Sequence, residues 1–307
     1  METQLALQSS LMEGLPPADE LLHGGPAPFF LGLALVALLA RRRSWDASAA
    51  ALAVGAGSLY FHVFLVGWLM PGGVPSFAAI RAEQWLSWLV LAGLGAGAVS
   101  GTSGKFLQAA IPLSLGAAVV FLIQHPILKS TDEFGERAQL LGLTFGIWIL
   151  TFGGFHLAAT RANSSRNLMV LLVSTGVASA VIGMSGSRKL AQLAGAGVAA
   201  LAATTLFAHL TERKGAPRPG LLLGALGPAW TWNAALLLAA YHFAYLDLDV
   251  ALLVVAPALL VTPLALLVRG RGFLWDGLAA LLASAPALVA LGIAAARFAD
   301  EPDYGGY

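Results

Sequence analysis

The feature that most constrains this chain is a series of apolar segments that follow one another from residue 27 to residue 297, separated by short linkers. A transmembrane helix needs about 20 predominantly apolar residues to cross a hydrocarbon core about 30 Å thick. A soluble domain carries about 25% charged residues, whereas the 11% found here could not cover a surface that faces water. The sequence therefore predicts an all-α, polytopic membrane helix bundle of about ten transmembrane helices. Within a few residues, the segments are 27–40, 47–70, 84–100, 106–125, 138–160, 167–184, 189–210, 220–245, 250–268 and 273–297.

The polar parts of the chain are short. Residues 1–26 carry acidic side chains but no Lys or Arg, the reverse of the basic start of a secretory leader, so we expect them to remain as an extracytoplasmic tail. Residues 27–297 are predicted to form a single transmembrane domain, and residues 298–307 a short acidic extracytoplasmic tail. No linker is long enough for an extramembrane domain.

The distribution of basic residues predicts the orientation. Short cytoplasmic loops carry an excess of Lys and Arg. With the N-terminus outside, eleven basic residues fall on inner positions and six on outer positions, and the run Arg41-Arg42-Arg43 directly follows the first segment. We therefore expect both termini outside the cytoplasm. The Ala-, Gly- and Leu-rich composition suits a bacterial inner (cytoplasmic) membrane.

Glycines recur within the apolar segments, as in 93–97 and 194–197. Small residues let helix backbones approach closely where lipid provides no hydrophobic drive for association. These stretches are therefore predicted to face other helices rather than lipid.

A pattern repeats at an offset of 84 residues. The fourth and seventh segments share a Lys, a Gln and a His at this offset: Lys105, Gln108 and His125 align with Lys189, Gln192 and His209. Trp148 aligns with Trp232 at the same offset. An odd number of helices separates the copies, so the pattern fits an inverted repeat of the kind found in secondary transporters. The alternative is that Ala/Gly/Leu-rich helices align by chance.

Polar and aromatic side chains at membrane depth are the candidate site residues, because such groups are costly there. Gly227-Pro228 interrupts the eighth segment just before Trp232 and Asn233, and backbone breaks at that depth occur where a helix lines a cavity. The predicted substrate-binding residues are His62, Gln108, Gln192, Trp232 and Asn233.

The histidines support two further interpretations. His62 and His156 lie deep enough to ligate haem iron or a metal, and His242 with Asp247 could relay protons. The alternative is that they are structural residues with satisfied hydrogen bonds; for His62, Ser58 lies one turn earlier and could be the partner. Asp276, at the start of the tenth segment, is expected at the inner interface rather than buried.

Several functions are excluded or disfavoured. The chain has no cysteine, which excludes disulfides and thiolate metal sites. It has no phosphate-binding loop, no nucleic-acid-binding patch and no catalytic motif, so we expect no enzyme activity and no bound cofactor. We expect a carrier of a small solute or proton with a mid-membrane site between the fourth, fifth, seventh and eighth segments. The alternative is a non-catalytic subunit of a larger membrane complex that packs against other membrane subunits, and a third hypothesis is a haem- or quinone-associated redox subunit.

Overall fold

The computed structural model describes residues 18–66, 82–100, 105–130, 134–159, 164–212, 217–267 and 272–300. Within these ranges the chain is all-helical and contains no strand, which confirms the predicted class. A single 3-10 turn, Arg43–Trp45, precedes α3. The helices are α1 (Ala18–Gly24), α2 (Pro26–Leu39), α3 (Asp46–Val66), α4 (Ala82–Ser100), α5 (Lys105–Ser130), α6 (Phe134–Ala159), α7 (Ser164–Met184), α8 (Arg188–Glu212), α9 (Pro219–Phe243), α10 (Leu248–Val255), α11 (Pro257–Leu267), α12 (Phe273–Ala283) and α13 (Ala285–Asp300).

Six helices in the described part of the chain are long and apolar enough to cross a membrane, and a seventh span is formed if α12 and α13 count together. These two helices are bent by 58° where they meet at Ser284. Three shorter apolar helices are Trp85–Ser100, Ala110–Gln124 and Leu248–Leu264. The protein is therefore a multi-pass membrane protein.

Helix α9 forms the centre of the bundle. Its sequence is apolar on all sides, which is expected of a helix surrounded by others. It contacts α3, α4, α5, α6, α7 and α8, and 83% of its most apolar window is buried. Pro228 lies inside α9 without ending it.

Glycines allow the backbones of α4 and α9 to touch, as the sequence predicted. Gly93 and Gly97 lie one turn apart on α4 and face Gly224 and Gly227 of α9. A Cβ atom added at Gly93 would lie 2.9 Å from the carbonyl oxygen of Gly227, and one added at Gly224 would overlap the backbone at Ala47 of α3. Any larger side chain at these contacts would force the three helices apart.

Two tryptophans make the same contact between consecutive helices. The Nε1 of Trp148 on α6 donates to the carbonyl oxygen of Pro112 on α5 at 3.0 Å, and its ring covers Gly116. On α9, the Nε1 of Trp232 donates to the carbonyl oxygen of Leu193 on α8 at 2.9 Å, and its ring covers Gly197. In both helix pairs the glycine follows the accepting residue by four positions, so that it lies one turn further along the same helix face.

Candidate functional site

A cavity of about 110 Å³ lies between α5, α6, α9 and α10 in the described part of the chain. Its walls are almost entirely apolar, and two indole rings, those of Trp148 and Trp230, form part of them. Leu143 and Leu252 line the cavity and are also exposed on the outside of the bundle, at 55% and 42%. The cavity therefore opens sideways, onto the surface that faces lipid.

Helical periodicity explains how these residues meet. On α6, Leu140, Thr144, Trp148 and Thr151 recur at spacings of three and four residues and so lie on one face of the helix. On α9, Trp230, Ala234, Leu237 and Tyr241 form a corresponding stripe. The short helix α10 provides Leu248, Ala251, Leu252 and Val255. The cavity lies where the large side chains on these three faces do not interdigitate.

The polar groups in the cavity wall are few, and most have partners. The hydroxyl groups of Thr144 and Thr151 each donate to a carbonyl oxygen one turn earlier on α6, at 2.7 Å. The indole N–H of Trp148 donates to the carbonyl oxygen of Pro112. The indole N–H of Trp230 is the exception, because Trp230 is only 1% exposed and its Nε1 has no hydrogen-bond partner in the described part of the chain. A buried donor without a partner costs about 1–3 kcal/mol.

A polar pair lies one turn beyond the cavity wall. The amide of Gln124, four residues after Val120 on α5, is 3.2 Å from Nε2 of His242, which follows Tyr241 on α9. Gln124 is fully buried and its Oε1 has no partner among the described residues. His242 was predicted as a proton-relay residue, and the structure pairs it with Gln124. The other predicted relay residue, Asp247, is instead exposed and paired with Arg297 at 2.5 Å.

Three of the predicted substrate-binding residues lie together, in a closely packed region. His62 is 1% exposed, and its Nδ1 lies 2.9 Å from the Oγ of Ser87 on α4. Its ring meets that of Trp232 edge-on at a centroid distance of 6.0 Å, and Asn233 beside it is 3% exposed. The hydroxyl of Ser58, the partner suggested for His62, donates to the carbonyl oxygen of Val54. None of these three residues lines the cavity between α5, α6, α9 and α10.

The remaining two predicted substrate-binding residues are separated from this group. Gln192 donates to the carboxylate of Glu20 on α1 at 2.7 Å, and Arg188 contacts the same carboxylate at 3.3 Å. This contact ties α1 to the start of α8. The side chain of Gln108 lies outside the described residues.

His156, predicted with His62 as a haem or metal ligand, lines another, smaller cavity. This cavity has a volume of about 20 Å³, room for about one water molecule, and Ser100 and Pro112 are also part of its wall. The ring of His156 stacks on Phe152 at 6.4 Å. No group of three or more His, Cys, Asp or Glu residues able to hold a metal ion occurs among the described residues.

A network of buried charges is a feature that the sequence analysis missed. It lies at the end of the bundle where α3, α7, α9 and α12 begin and α8 ends, which we call the charged end. At the start of α9, Arg218 donates to the carboxylate of Asp46 on α3 from Nε and Nη2, at 2.9 and 2.5 Å. Its Nη2 also donates to the carbonyl oxygen of Ala40 at 2.5 Å. Arg218 and Asp46 are 8% and 3% exposed, so the pair is largely removed from water.

A second ion pair at the charged end joins α7 to α12. The Nε of Arg166 donates to Oδ1 of Asp276 at 3.1 Å, and the Ser165 hydroxyl donates to Oδ2 at 3.2 Å. The Nδ1 of His209 lies 3.8 Å from the same oxygen. Asp276 is 3% exposed, so the expectation that it is not buried is wrong. It is buried because Arg166, Ser165 and His209 provide polar partners on α7 and α8.

Glu212, the last residue of α8, links the two ion pairs. Its carboxylate accepts from the backbone N–H groups of Ser164 and Ser165, at 3.3 and 3.0 Å, and from that of Arg218 at 2.8 Å. N–H groups at helix starts lack partners within the helix and favour a negative charge nearby. The ends of three helices are thus fixed to one carboxylate.

Comparison with protein-family models, curated proteins and solved structures found no match for this chain. The fold and the cavity define a multi-pass helical membrane protein with a small apolar cavity.

Proposed function

We propose that this protein is a membrane carrier of a small lipophilic molecule, which enters the cavity between α5, α6, α9 and α10 from the lipid. The observation that carries the proposal is the position of the cavity, which is lined by apolar side chains, among them Leu143 and Leu252, which are exposed on the outside of the bundle. Small-molecule sites are mostly apolar and concave, with few polar groups. The cavity involves three of the four segments between which the sequence predicted a mid-membrane site.

The arrangement of the helix ends supports ten membrane crossings. The six long helices, the three shorter apolar helices and the bent pair make ten apolar segments in the described part of the chain. The charged end brings together the starts of α3, α7, α9 and α12 and the end of α8. An alternating path of ten spans puts these five points on one side of the membrane, and the positive-inside rule makes that side the cytoplasm.

The repeated tryptophan contact supports an internal inverted repeat. Trp148 and Trp232 are 84 residues apart, while their acceptors Pro112 and Leu193, and the glycines Gly116 and Gly197, are 81 residues apart. The difference of three residues is close to one helical turn, so the helix faces stay matched. The two pairs, α5–α6 and α8–α9, are three helices apart, as an inverted repeat requires.

The test uses N-phenyl-1-naphthylamine, a dye that fluoresces in membranes, in bacterial cells that express the protein. Cells with the wild-type protein are expected to accumulate less dye than cells without it. Ala234→Trp and Ala251→Trp, which fill the cavity from α9 and α10, are expected to abolish the difference. Leu150→Trp is the matched control, since Leu150 is 61% exposed and does not line the cavity. Equal accumulation with and without the wild-type protein would contradict the carrier proposal.

A second candidate function is a non-catalytic subunit of a larger membrane complex. The close packing around His62, Trp232 and Asn233 favours it, because a bundle that only supports partners needs no polar cavity. Stoichiometric membrane proteins that copurify in mild detergent, together with no effect on the dye, would support this function.

A further inference from the structure

Three consecutive arginines connect α2 to the turn that precedes α3. Arg41, Arg42 and Arg43 are all exposed, and none of their side chains forms a hydrogen bond or an ion pair within the described part of the chain. The other Lys and Arg side chains that the structure describes all have interaction partners; Arg218 and Arg166, for example, are paired with buried carboxylates. The run therefore concentrates positive charge that the described structure does not neutralise.

The carboxylates of the charged end are already engaged within the bundle. Asp46, three residues after Arg43, accepts from Nε of Arg218 at 2.9 Å, and Arg43 acts on it through electrostatic attraction without a hydrogen bond. Asp276 is paired with Arg166, and Glu212 accepts from backbone N–H groups at the helix ends. The negative charge that balances the three arginines must therefore come from outside the described part of the chain.

The run is held in place between two contacts of one buried side chain. Arg218 donates to the carbonyl oxygen of Ala40, directly before the run, and to the carboxylate of Asp46, directly after the 3-10 turn. In this turn Trp45 lies on the surface and is 52% exposed. The turn joins two helical segments that are long and apolar enough to cross a membrane. Because indole rings prefer the headgroup level of a bilayer, Trp45 places the run beside the lipid phosphates.

We propose that Arg41, Arg42 and Arg43, with Trp45 beside them, bind the headgroups of anionic phospholipids at this end of the bundle. A guanidinium group donates two parallel hydrogen bonds to a phosphate, and it keeps its charge at any physiological pH. Each basic residue near an anionic lipid surface strengthens binding about fivefold. The site is separate from the cavity between α5, α6, α9 and α10, and it does not depend on the proposed carrier function.

The test measures how strongly brominated lipids quench the fluorescence of Trp45. The full-length protein is reconstituted into phosphatidylcholine bilayers that contain increasing fractions of phosphatidylglycerol brominated in its acyl chains. A parallel series uses brominated phosphatidylcholine. The difference between the wild type and Trp45→Phe isolates the quenching of Trp45 from that of the other tryptophans. The two quenching curves give the preference of the site for phosphatidylglycerol over phosphatidylcholine.

The wild type is expected to prefer phosphatidylglycerol. Arg42→Gln should lower this preference about fivefold, and the triple replacement of Arg41, Arg42 and Arg43 by Gln should abolish it. Each variant is compared with its own Trp45→Phe counterpart. Because all of these side chains are exposed, the substitutions should leave the fold intact, which the unfolding midpoint in detergent checks.

Arg297→Gln is the matched control. It removes one exposed positive charge that is paired with Asp247 and Asp249. Helix α9 runs from the charged end towards Asp247, so this charge lies at the opposite end of the bundle. The control should leave the preference at Trp45 unchanged.

Each outcome decides the inference. A preference that the triple variant loses and Arg297→Gln keeps supports the lipid site. Equal quenching of wild-type Trp45 by the two lipids would overturn it, and so would a preference that survives in the triple variant or is lost equally in Arg297→Gln. Loss of the preference on addition of millimolar inorganic phosphate would indicate a site for soluble anions and would overturn the assignment to lipid. None of these results depends on the dye assay, so the lipid site and the carrier function are tested independently.

Discussion

Replacing Arg218 by Met is expected to cost about 3–5 kcal/mol of the free energy of unfolding, the usual effect of breaking a buried ion pair from one side. The burial of this pair places the expected loss of stability well above that of an exposed ion pair. Asp46 is 3% exposed and would be left without the two hydrogen bonds that Arg218 donates to it at 2.9 and 2.5 Å. Replacing Asp46 by Leu leaves the guanidinium buried and should cost a similar amount.

The double variant Asp46→Leu, Arg218→Met distinguishes a pair from two independent contacts. It removes both charges, and the remaining loss is the hydrogen bond to the carbonyl oxygen of Ala40. An unsatisfied buried acceptor costs about 1–3 kcal/mol, so the double variant should be far more stable than the sum of the single effects implies. The free energies are measured by titration with sodium dodecyl sulfate in mixed micelles, followed by tryptophan fluorescence.

The ion pair between Arg297 and Asp249 provides the control, because both side chains are exposed. Arg297→Met should change the stability much less than Arg218→Met, since water already screens the exposed pair. The reasoning would be refuted if the double variant lost as much stability as the two single variants together. It would also be refuted if Arg218→Met and Arg297→Met had equal effects.

Two further predictions concern packing and orientation. Gly97→Ala places a methyl group against the backbone of α9 and should cost about 1–3 kcal/mol in the same unfolding assay. Gly95→Ala is the control, because a Cβ atom at Gly95 meets nothing within 4 Å and should not destabilise the protein. Equal losses of stability in the two variants would contradict the close helix contact. Because the chain lacks cysteine, Arg42→Cys and Tyr245→Cys each introduce a unique thiol. In intact cells a membrane-impermeant maleimide should label Tyr245→Cys only, and labelling of both or of Arg42→Cys alone would contradict the proposed orientation.

The sequence predicts the helices of this protein better than their contacts. Each of the ten apolar segments overlaps a helix or a broken helix pair, because apolar composition alone makes a segment helical in lipid. The number of crossings is harder to predict, since it depends on length and straightness. The short α10 and α11 and the 58° bend between α12 and α13 result from packing and backbone breaks.

The buried ion pairs could not be predicted from charge patterns. Arg166 and Asp276 lie 110 residues apart, and the positive-inside rule counts Arg166 and Arg218 simply as cytoplasmic charges. The sequence places both arginines in inner loops, but their burial depends on which helices are neighbours in space. Apolar periodicity in a membrane protein carries little information about neighbours, because lipid-facing and helix-facing residues are similarly apolar.

The candidate site escaped the sequence analysis for a related reason. Trp230 and Trp232 are two residues apart, which turns them about 200° from one another around a helix. The sequence indicates that this stretch of α9 matters, but not which of the two faces meets open space. The packing of the neighbours decides this: α8 lies close enough to accept the N–H of Trp232, whereas α5, α6 and α10 leave a gap beside Trp230.

The repeated tryptophan contact connects the site to the architecture. In the α8–α9 pair the contact lies at the centre of the bundle, where α3, α4 and α7 also pack, and Trp232 does not line the cavity between α5, α6, α9 and α10. In the α5–α6 pair the same contact holds Trp148 in place, but the face of α6 that carries Trp148 also lines the cavity. If the two pairs are copies, the repeat provides a rigid support for one indole ring. The two pairs are surrounded by different helices, and this difference leaves the cavity beside α5 and α6.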